Sequence, residues 1–219
     1  MQKIILALSG GLDSTVLLSS AKTLEYECET VSFFYGSKHN EYEIKAAQKI
    51  AQHYEVSWRL VNIEGVMKEF RSDLMLGGGE IPEGHYKDEN MKRTVVPGRN
   101  IIFISILSGL AWSLNAEEVW IGIHAGDHAI YPDCRPKFYR YMRDAISAGT
   151  DSKVILRAPF LMLDKKCIVE RGIINKVPFH FTRTCYKMQE KACGKCGSCI
   201  ERLEAFSENG IKDPIEYEV

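Results

Sequence analysis

The sequence predicts an α/β domain built on a parallel sheet, followed by a small metal-binding segment. Two observations support this prediction. Short apolar runs that are typical of strands alternate with amphipathic helical patterns through most of the chain, which is the order of strand-helix-strand units. Four of the seven cysteines then lie close together near the C-terminal end. We therefore expect an α/β domain over residues 1–180 and a four-cysteine segment over residues 181–219 that packs on it.

Composition excludes several classes of protein. The chain has 219 residues, of which 45% are hydrophobic and 26% charged, as in an ordinary globular protein with one sizeable core. We find no run of about 18 apolar residues and no room for a signal peptide before the first strand, so we expect a cytoplasmic protein. A net charge of −1 argues against a surface that coats nucleic acid or membrane. The odd number of cysteines favours a metal site over a disulfide framework.

The predicted elements follow in order along the chain. Strands are expected at residues 4–8, 30–35, 58–63, 118–123 and 154–158. Helices are expected from residue 12, over 40–53 and 101–114, and from residue 165. Between residues 64 and 98, glycines and prolines interrupt any sustained period. A loop of that length in a compact domain predicts a lid that is partly mobile or disordered.

A turn between the first strand and the first helix is the most informative stretch. Gly10 and Gly11 allow a sharp bend and close approach to a ligand, and the following helix N-terminus favours an anion. Ser14 and Thr15 add hydroxyl donors. Neither the Walker loop nor the dinucleotide fingerprint is present. Ser-Gly-Gly-x-Asp-Ser resembles instead the pyrophosphate loop of the ATP pyrophosphatase superfamily, with a plain turn capped by Asp13 as the alternative.

Two basic residues lie near predicted helix starts. A cation at this position opposes the helix dipole, so Arg99 should have a compensating anion, either a substrate phosphate or carboxylate or a carboxylate of a neighbouring loop. Lys165 follows Asp164, a candidate N-cap, and is a candidate phosphate ligand. The alternative for Lys165 is an ordinary solvated lysine.

Polar side chains are dense in the loop 124–135, which follows the fourth predicted strand. His124 and His128 are four residues apart, but Gly126 and Pro132 argue against a helix that would pair them on a metal. We therefore interpret both histidines as solvated loop residues. Cys134 has no identifiable base, and we interpret it as a buried, inert thiol.

The C-terminal cysteines form the pattern Cys-x7-Cys-x2-Cys-x2-Cys, made by Cys185, Cys193, Cys196 and Cys199. Glycines follow the second and third of them and let backbone N–H groups turn toward sulfur. Four thiolates at this spacing favour a closed, structural zinc site. An iron–sulfur cluster is the alternative, but the Cys-Pro expected three residues further on is missing.

Together these motifs resemble the QueC family of 7-cyano-7-deazaguanine synthases, within the ATP pyrophosphatase (PP-loop) superfamily. The resemblance covers nearly the whole chain and implies an adenine-nucleotide-alpha-hydrolase-like (Rossmann-like) fold. The stretches that support it are 9–15, 97–100, 131–135, 185–186, 193–199, Arg202 and 205–206.

The resemblance implies an ATP-dependent conversion of 7-carboxy-7-deazaguanine and ammonia into a nitrile, through an adenylated carboxylate and an adenylated amide. It implies that Asp13 helps hold Mg²⁺ and that Lys165 approaches the phosphates. We expect Asp13, Arg99 and Lys165 to be catalytic. The partners would be small molecules, without membrane or direct nucleic acid, and a homodimer is compatible with the sequence. The expected nucleotide-binding residues are Leu8, Ser9, Gly10, Gly11, Leu12, Asp13, Ser14, Thr15, Val16, Leu17 and Leu18.

Chemistry suggests which residues bind the purine-like ring. A guanine-type edge presents adjacent N–H donors, which suit the Asp133 carboxylate, and Tyr131 can stack on the ring. Arg99 or Arg135 could pair with the substrate carboxylate. Asn100, the neighbour of Arg99, is also expected to bind the substrate.

One departure from the family pattern affects the expected product. Gly126-Asp127 and Ala129-Ile130 stand where many members have Thr-Asp and Ser-Gly. The main alternative is therefore a paralogue that stops at the amide or uses another deazapurine. A tRNA-modifying relative would be expected to have a basic surface or an extra domain. A zinc-ribbon binding module would leave the glycine turn unexplained.

Overall fold

A computed structural model describes residues 2–86 and 88–218 of the chain. Five parallel strands form one sheet in the order β3-β2-β1-β4-β5, which confirms the predicted fold class. The strands are β1 (Lys3–Ala7), β2 (Glu27–Phe34), β3 (Ser57–Asn62), β4 (Glu118–Trp120) and β5 (Ile155–Arg157). The α-helices are α1 (Leu12–Thr23), α2 (Asn40–His53), α3 (Glu64–Met67), α4 (Arg99–Ser113), α5 (Pro136–Gly149), α6 (Lys165–Ile174) and α7 (Gly197–Glu208).

The strand β1 lies at the centre of the sheet and is buried on both faces. Its side chains alternate, so Ile4 and Leu6 pack against one layer of helices and Ile5 packs against the other. Helices α1 and α6 cover the first face through residues such as Leu17 and Ile168. Helix α4 covers the second face. This double cover explains why the strand is a nearly continuous apolar run.

The strand order places two loops at one edge of the sheet. Successive connections run from β1 outward to β3, and the chain then returns to the other side of β1 as β4. The carboxyl ends of β1 and β4 therefore lie side by side where the order reverses, which is the usual ligand crevice of an open α/β sheet. The glycine turn after β1 and the loop 124–135 after β4 both open there.

Two helices go beyond the sequence expectation. Helix α5 begins with Pro136 at its first position and is amphipathic: Ile146 is buried, and Phe138, Tyr139 and Met142 are partly buried against the core. This helical period was available in the sequence. Helix α7 begins inside the cysteine segment, with Cys196 at its N-cap position. Asp164 is the N-cap of α6, where its carboxylate accepts the Cys167 N–H at 2.8 Å, as predicted.

The segment 64–98 packs across the carboxyl edge of the sheet. It contains α3 and a 3-10 helix at Glu89–Thr94, and it buries Met67, Leu74 and Met91. The Gly84 N–H donates to the Lys195 carbonyl at 3.0 Å, which ties this segment to the cysteine loop. The segment thus covers the crevice, and its mobility stays a prediction.

The segment Glu89–Ser113 is long and apolar enough to cross a membrane by length and composition alone, contrary to the expectation from the sequence. In the fold it is a 3-10 turn followed by α4, separated by Pro97 and Gly98. Ile104 and Leu107 of α4 are buried in the core against the sheet. This is the pattern of a core helix of an α/β domain.

The C-terminal segment packs directly on the sheet domain. Phe206 of α7 contacts Phe179 in an edge-to-face arrangement with ring centroids 5.0 Å apart. The buried Arg202 guanidinium donates to both carboxylate oxygens of Asp213 at 2.6 and 2.9 Å. The Arg183 N–H donates to the Gly10 carbonyl at 2.8 Å. The predicted boundary between the α/β domain and the four-cysteine segment at residue 180 stays a prediction.

Candidate active site

A cavity opens at the crevice between β1 and β4. The glycine turn and the starts of α1, α2 and α4 all contribute to its lining, and the backbone of α2 packs against Gly10. The loop after β4 and residues 183–186 of the C-terminal segment close its sides. The cavity therefore joins the predicted phosphate-binding turn to side chains that come from four other parts of the fold.

The glycine turn has the geometry that its sequence predicts. Gly10 has φ +83°, and a Cβ there would lie 2.7 Å from the backbone nitrogen of Ala47, so only glycine fits. The hydroxyls of Ser14 and Thr15 donate to the Gly11 carbonyl at 3.2 and 2.7 Å. Both hydroxyls therefore stabilise the turn itself, and the N–H groups of the first turn of α1 remain as the anion donors.

Asp13 does not cap α1, because Gly11 is the N-cap residue and no side-chain cap bond forms there. Its carboxylate instead accepts from the Lys165 ammonium at 2.7 and 2.8 Å. The Glu201 carboxylate lies 3.3 Å from the same nitrogen. Lys165 is only 7% exposed, so its interpretation as a solvated lysine does not hold.

Electrostatics keep Asp13 and Lys165 ionised, whereas burial raises the pKa of Glu201 although Lys165 acts to lower it. Burial acts to raise the pKa of Asp13, but Lys165 and His124 outweigh it and lower the pKa of that carboxyl. Burial acts to lower the pKa of Lys165, but Asp13 and Glu201 outweigh it and raise the pKa of the ammonium. The site thus holds a fixed positive charge beside a fixed negative charge at the start of α1.

His124 is buried, at 1% exposure, and its interpretation as a solvated loop residue is wrong. Residues Ala125–Ala129 form a 3-10 turn, in which the His124 Nδ1 accepts the Gly126 N–H at 3.1 Å. The Nε2 lies 3.4 Å from Asp127 and 3.8 Å from Asp13. Its place at the end of a strand was the signal that could have identified it.

The Arg99 guanidinium also lines the cavity, in a group separate from the Asp13–Lys165 pair. We call the glycine turn with Asp13 and Lys165 the phosphate end of the cavity, and Arg99 with Tyr35, His39 and Glu43 the acid end. It donates to the Tyr35 hydroxyl at 3.3 Å and lies 5.8 Å from the centroid of that ring. Within residues 2–86 and 88–218, no carboxylate lies within 4.0 Å of it. Of the two partners expected from the sequence, this geometry favours an anion of a ligand.

Asp133 and Arg135 lie just outside the cavity lining. The Asp133 carboxylate accepts the Asn100 backbone N–H at 2.9 Å, in the first turn of α4. Arg135 donates to the carbonyls of His128 and Ala129 at 2.8 and 3.4 Å. Asn100 itself lines the cavity, as do Arg99 and Tyr131. The substrate-binding roles of Asp133 and Arg135 stay predictions.

Sequence reasoning missed a group of side chains at the start of α2. Glu43 and His39 line the cavity beside Arg99, and their side chains approach each other to 3.6 Å. Burial raises the pKa of Glu43 to about 8, although Arg99 and Arg183 act to lower it. Burial and the same two guanidiniums lower the pKa of His39 to about 3, so the imidazole is neutral. These residues follow a predicted strand end, which was the available signal.

Side-chain hydroxyl groups form a hydrogen-bonded chain beside the cavity. Tyr86 contacts Tyr186 at 2.6 Å, Tyr186 contacts Tyr131 at 3.3 Å, and Tyr131 contacts Thr94 at 2.9 Å. Thr94 donates to the Met91 carbonyl at 2.7 Å, and a carbonyl can only accept. Each hydroxyl group therefore donates to the next one in the order Tyr86, Tyr186, Tyr131, Thr94. The hydroxyl of Tyr131 is fixed, while its ring lines the cavity.

The four cysteines of the predicted metal site come together as a buried cluster. Their sulfur atoms all lie within 4.8 Å of one another, and no disulfide joins them. Tetrahedral coordination at about 2.3 Å per sulfur requires sulfur separations of about 3.8 Å, and Cys193 and Cys199 are 3.9 Å apart. The N–H groups of Lys195 and Cys196 donate to the Cys193 sulfur across Gly194 at 3.4 and 3.3 Å. This cluster could bind a metal ion.

The burial of Cys134 agrees with its interpretation as an inert thiol. It is 4% exposed, and burial raises the pKa of the thiol far above its ordinary value. The nearest polar contact is the Asn100 side-chain amide, 3.4 Å from the sulfur. No step of the chemistry below uses this residue.

The parallel sheet and the glycine turn define an α/β fold of the PP-loop type. Two solved structures share the fold at low sequence identity. A predicted tRNA methyltransferase subunit from Methanocaldococcus jannaschii has a TM-score of 0.54 at 14% identity, covering 97% of this chain and 90% of its own. The NMN synthetase of Francisella tularensis has a TM-score of 0.53 at 13% identity, covering 95% and 77%.

Sequence comparison then gives the family. The model described as "Queuosine biosynthesis protein QueC" matches residues 3–210, and the chain belongs to this family. The 7-cyano-7-deazaguanine synthase of Caldicellulosiruptor saccharolyticus is 44% identical, covering 99% of this chain and 96% of its own. That of Methanoregula boonei is also 44% identical, covering 99% of both chains. The 7-cyano-7-deazaguanine synthase 2 of Colwellia psychrerythraea is 42% identical over the full length of both. The protein is therefore an enzyme of the QueC family.

Proposed function

We propose that the protein converts 7-carboxy-7-deazaguanine and ammonia into 7-cyano-7-deazaguanine, using two ATP molecules that each leave as AMP and pyrophosphate. The observation that supports this most directly is the composition of the cavity. One end has an anion-binding turn with Asp13 and Lys165, and the other has a guanidinium without a carboxylate partner. An enzyme that joins a triphosphate to a carboxylic acid needs both.

At the first end, the N–H groups at the start of α1 and the Lys165 ammonium would hold the phosphates of ATP. Asp13 fits the magnesium role, because it is an ionised carboxylate in the same turn, and oxygen is the ligand that Mg²⁺ prefers. When bound, Mg²⁺ neutralises charge on the departing pyrophosphate. The ion pair with Asp13 supports this role, because it holds the Lys165 ammonium beside the glycine turn.

At the second end, Arg99 would orient the acid of the substrate. A carboxylate oxygen attacks the α-phosphorus of ATP, and the bond to pyrophosphate breaks. Ammonia attacks the acyl carbon, AMP leaves and a proton is lost, which gives the amide. The amide oxygen then attacks a second α-phosphorus, and loss of AMP and two N–H protons leaves the nitrile. No nucleophilic side chain is needed, in agreement with the inert Cys134.

For the ring of the substrate, we propose Glu43 as the acceptor of the adjacent N–H groups. Its carboxylate lines the cavity, and among the described residues its nearest side-chain partner is His39 at 3.6 Å. The Asp133 carboxylate, the choice from sequence, is already hydrogen-bonded to the backbone of Asn100. Asp133 would then act on the substrate through the start of α4, where it holds Arg99, and Tyr131 would pack against the ring.

For the cysteine cluster we propose one structural Zn²⁺ per chain. Four buried sulfurs close a tetrahedral coordination sphere, which leaves no position for a substrate. The N–H groups that donate to Cys193 support its thiolate form. Seven free cysteines suit a reducing compartment, and we place the protein in the cytoplasm.

One incubation tests the proposed reaction. The purified protein is mixed with 7-carboxy-7-deazaguanine, ATP, Mg²⁺ and ammonium, and both the deazapurine and the nucleotide products are identified by mass spectrometry. We expect the nitrile with two AMP per product. Accumulation of the amide with one AMP would identify the alternative paralogue, and consumption of ATP only with RNA present would contradict the proposal.

A further inference from the structure

The two predicted roles of the Asp13–Lys165 pair conflict with each other. Both oxygens of the Asp13 carboxylate are hydrogen-bonded to the Lys165 ammonium, at 2.7 and 2.8 Å. A carboxylate that binds Mg²⁺ must give up at least part of this bonding. Lys165 is nearly fully buried, and a buried ammonium that loses its only counter-charge is strongly destabilised.

Glu201 supplies a second counter-charge to the same lysine. Its Oε2 lies 3.3 Å from the Lys165 Nζ, and its side chain is 13% exposed. Within the described parts of the chain, Asp13 and Glu201 are the carboxylates within 4.0 Å of that nitrogen. Lys165 lines the cavity, whereas Glu201 lies behind it. Glu201 can therefore keep its contact with Lys165 while a nucleotide fills the space in front.

The loop after β4 leaves room for this carboxylate. A Cβ on residue 126 would lie too close to the Glu201 Oε1, so any residue other than glycine there would require this carboxylate to shift.

We propose that Glu201 is a positioning residue that holds the Lys165 ammonium at the phosphate site when Asp13 turns to Mg²⁺. The inference rests on the proposed ATP chemistry. Glu201 lies in the first turns of α7, which begins inside the cysteine cluster, two residues after Cys199. The metal-binding segment then helps to determine nucleotide affinity through one ion pair, without contacting the nucleotide.

The test compares ATP binding by the full-length protein with and without added Mg²⁺, by titration calorimetry. With Mg²⁺, Glu201→Gln should bind ATP about tenfold more weakly than the unmodified protein, because Lys165 then lacks both carboxylates. Without Mg²⁺, Lys165 keeps Asp13, and the two proteins should agree within about threefold. A residue with a merely structural role would weaken ATP binding equally in both conditions.

Glu204→Gln is the matched control. Glu204 lies on the same helix, is about half exposed and contacts His85 rather than Lys165. This variant should bind ATP like the unmodified protein with or without Mg²⁺. Metal content and melting temperature should be unchanged in both variants.

Equal ATP affinities for Glu201→Gln and the unmodified protein in Mg²⁺ would overturn the inference. It would also be overturned if Glu201→Gln lost as much ATP affinity without Mg²⁺ as with it. If the Gln variant loses its metal, Glu201→Asp carries the test. The shorter Asp side chain keeps the charge but holds it farther from Lys165. An affinity for ATP in Mg²⁺ equal to that of the unmodified protein would also overturn the inference. Failure of the unmodified protein to consume the deazapurine acid would contradict the proposed function alone, since these measurements follow nucleotide binding only.

Discussion

The two ends of the cavity differ in how completely their charged groups are paired. At the phosphate end, Lys165 contacts two carboxylates, and Asp13 contacts both Lys165 and, more distantly, His124. At the acid end, the Arg99 guanidinium donates to a tyrosine hydroxyl, and within the described residues the Glu43 carboxylate lies 3.6 Å from the neutral imidazole of His39. The charged groups of the first end are paired with one another, whereas at the second end the Arg99 guanidinium is left for a ligand.

This difference indicates separate tasks. A paired cluster holds its side chains in fixed geometry before ATP arrives, which is what electrostatic stabilisation of a phosphoryl transfer requires. An unpaired guanidinium in a covered cavity costs stability, but it binds a carboxylate more selectively because the alternative is an unpaired charge. Changes at the phosphate end should therefore affect the rate most, and changes at the acid end should affect substrate affinity.

The largest effect is expected at the phosphate end. Asp13→Asn removes the charged magnesium ligand and leaves Lys165 with Glu201 alone, so we expect kcat to fall by about 10²- to 10³-fold while the fold is retained. Steady-state release of AMP and pyrophosphate measures the rate, and circular dichroism measures the fold. Appearance of ADP as the nucleotide product in the unmodified protein would contradict the PP-loop chemistry on which this expectation rests.

The next effect concerns the support of that end by the cysteine segment. Cys196→Ala opens the coordination sphere, and we expect loss of the metal and a destabilisation of about 3 kcal/mol or more, or roughly 10 °C in Tm. Elemental analysis of the unmodified protein should find about one zinc per chain and no iron. Cys167→Ala, at a half-buried cysteine outside the cluster, is the control and should keep the zinc. A brown protein with visible absorption would instead indicate an iron–sulfur cluster.

The contrast between the two ends also explains what could be predicted from the sequence. The glycine turn and the four cysteines are contiguous motifs whose chemistry depends on local spacing, and the structure places both as predicted. The acid end is assembled from side chains on separate elements, such as Glu43 on α2 and Tyr186 beside the metal site. Only the strand order brings them together, so no local pattern identifies them.

Two individual residues show the same limit. His124 was interpreted as solvated because Gly126 excludes an α-helix, but a 3-10 turn forms there and buries the ring beside Asp13. Glu201 reads as an ordinary polar residue of an amphipathic helix. Its contact with Lys165 joins residues 36 positions apart in the sequence, across the α6 and α7 packing.

At the acid end, Glu43→Gln should change the pH dependence of substrate binding. The pKa of Glu43 is raised to about 8 in the empty cavity, where Arg99, Arg183, His39 and Tyr35 surround it. Because the carboxylate is the form that accepts two N–H groups, affinity for 7-carboxy-7-deazaguanine should rise between pH 6 and 8 and then level off. The Gln variant should bind about tenfold more weakly at pH 8 and lose this rise.

Titration calorimetry with the deazapurine acid alone measures this affinity without interference from the protonation of ammonia. Glu41→Gln, on the exposed side of the same helix turn, is the control and should keep the pH profile. If Glu43→Gln binds the deazapurine acid as tightly as the unmodified protein across the pH range, Glu43 is not the acceptor of the ring N–H groups, and Asp133 becomes the candidate.

The smallest effect is expected for Asp133→Asn, and it separates the two candidate acceptors. If Asp133 contacts the ring, this variant should lose deazapurine affinity by orders of magnitude and keep its stability. The structure favours the other outcome, because the Asp133 carboxylate accepts the Asn100 N–H in the first turn of α4, and an Asn side chain can still accept that bond. We expect a loss of about 0.5–1 kcal/mol in stability, from the weaker interaction of an uncharged acceptor with the helix N-terminus. Deazapurine affinity should fall less than about threefold, through the position of Arg99.

Thermal unfolding and calorimetry on the same sample give both quantities. A hundredfold loss of affinity without a change in Tm would show that Asp133 reaches the ring, and that the unpaired Glu43 is not its acceptor.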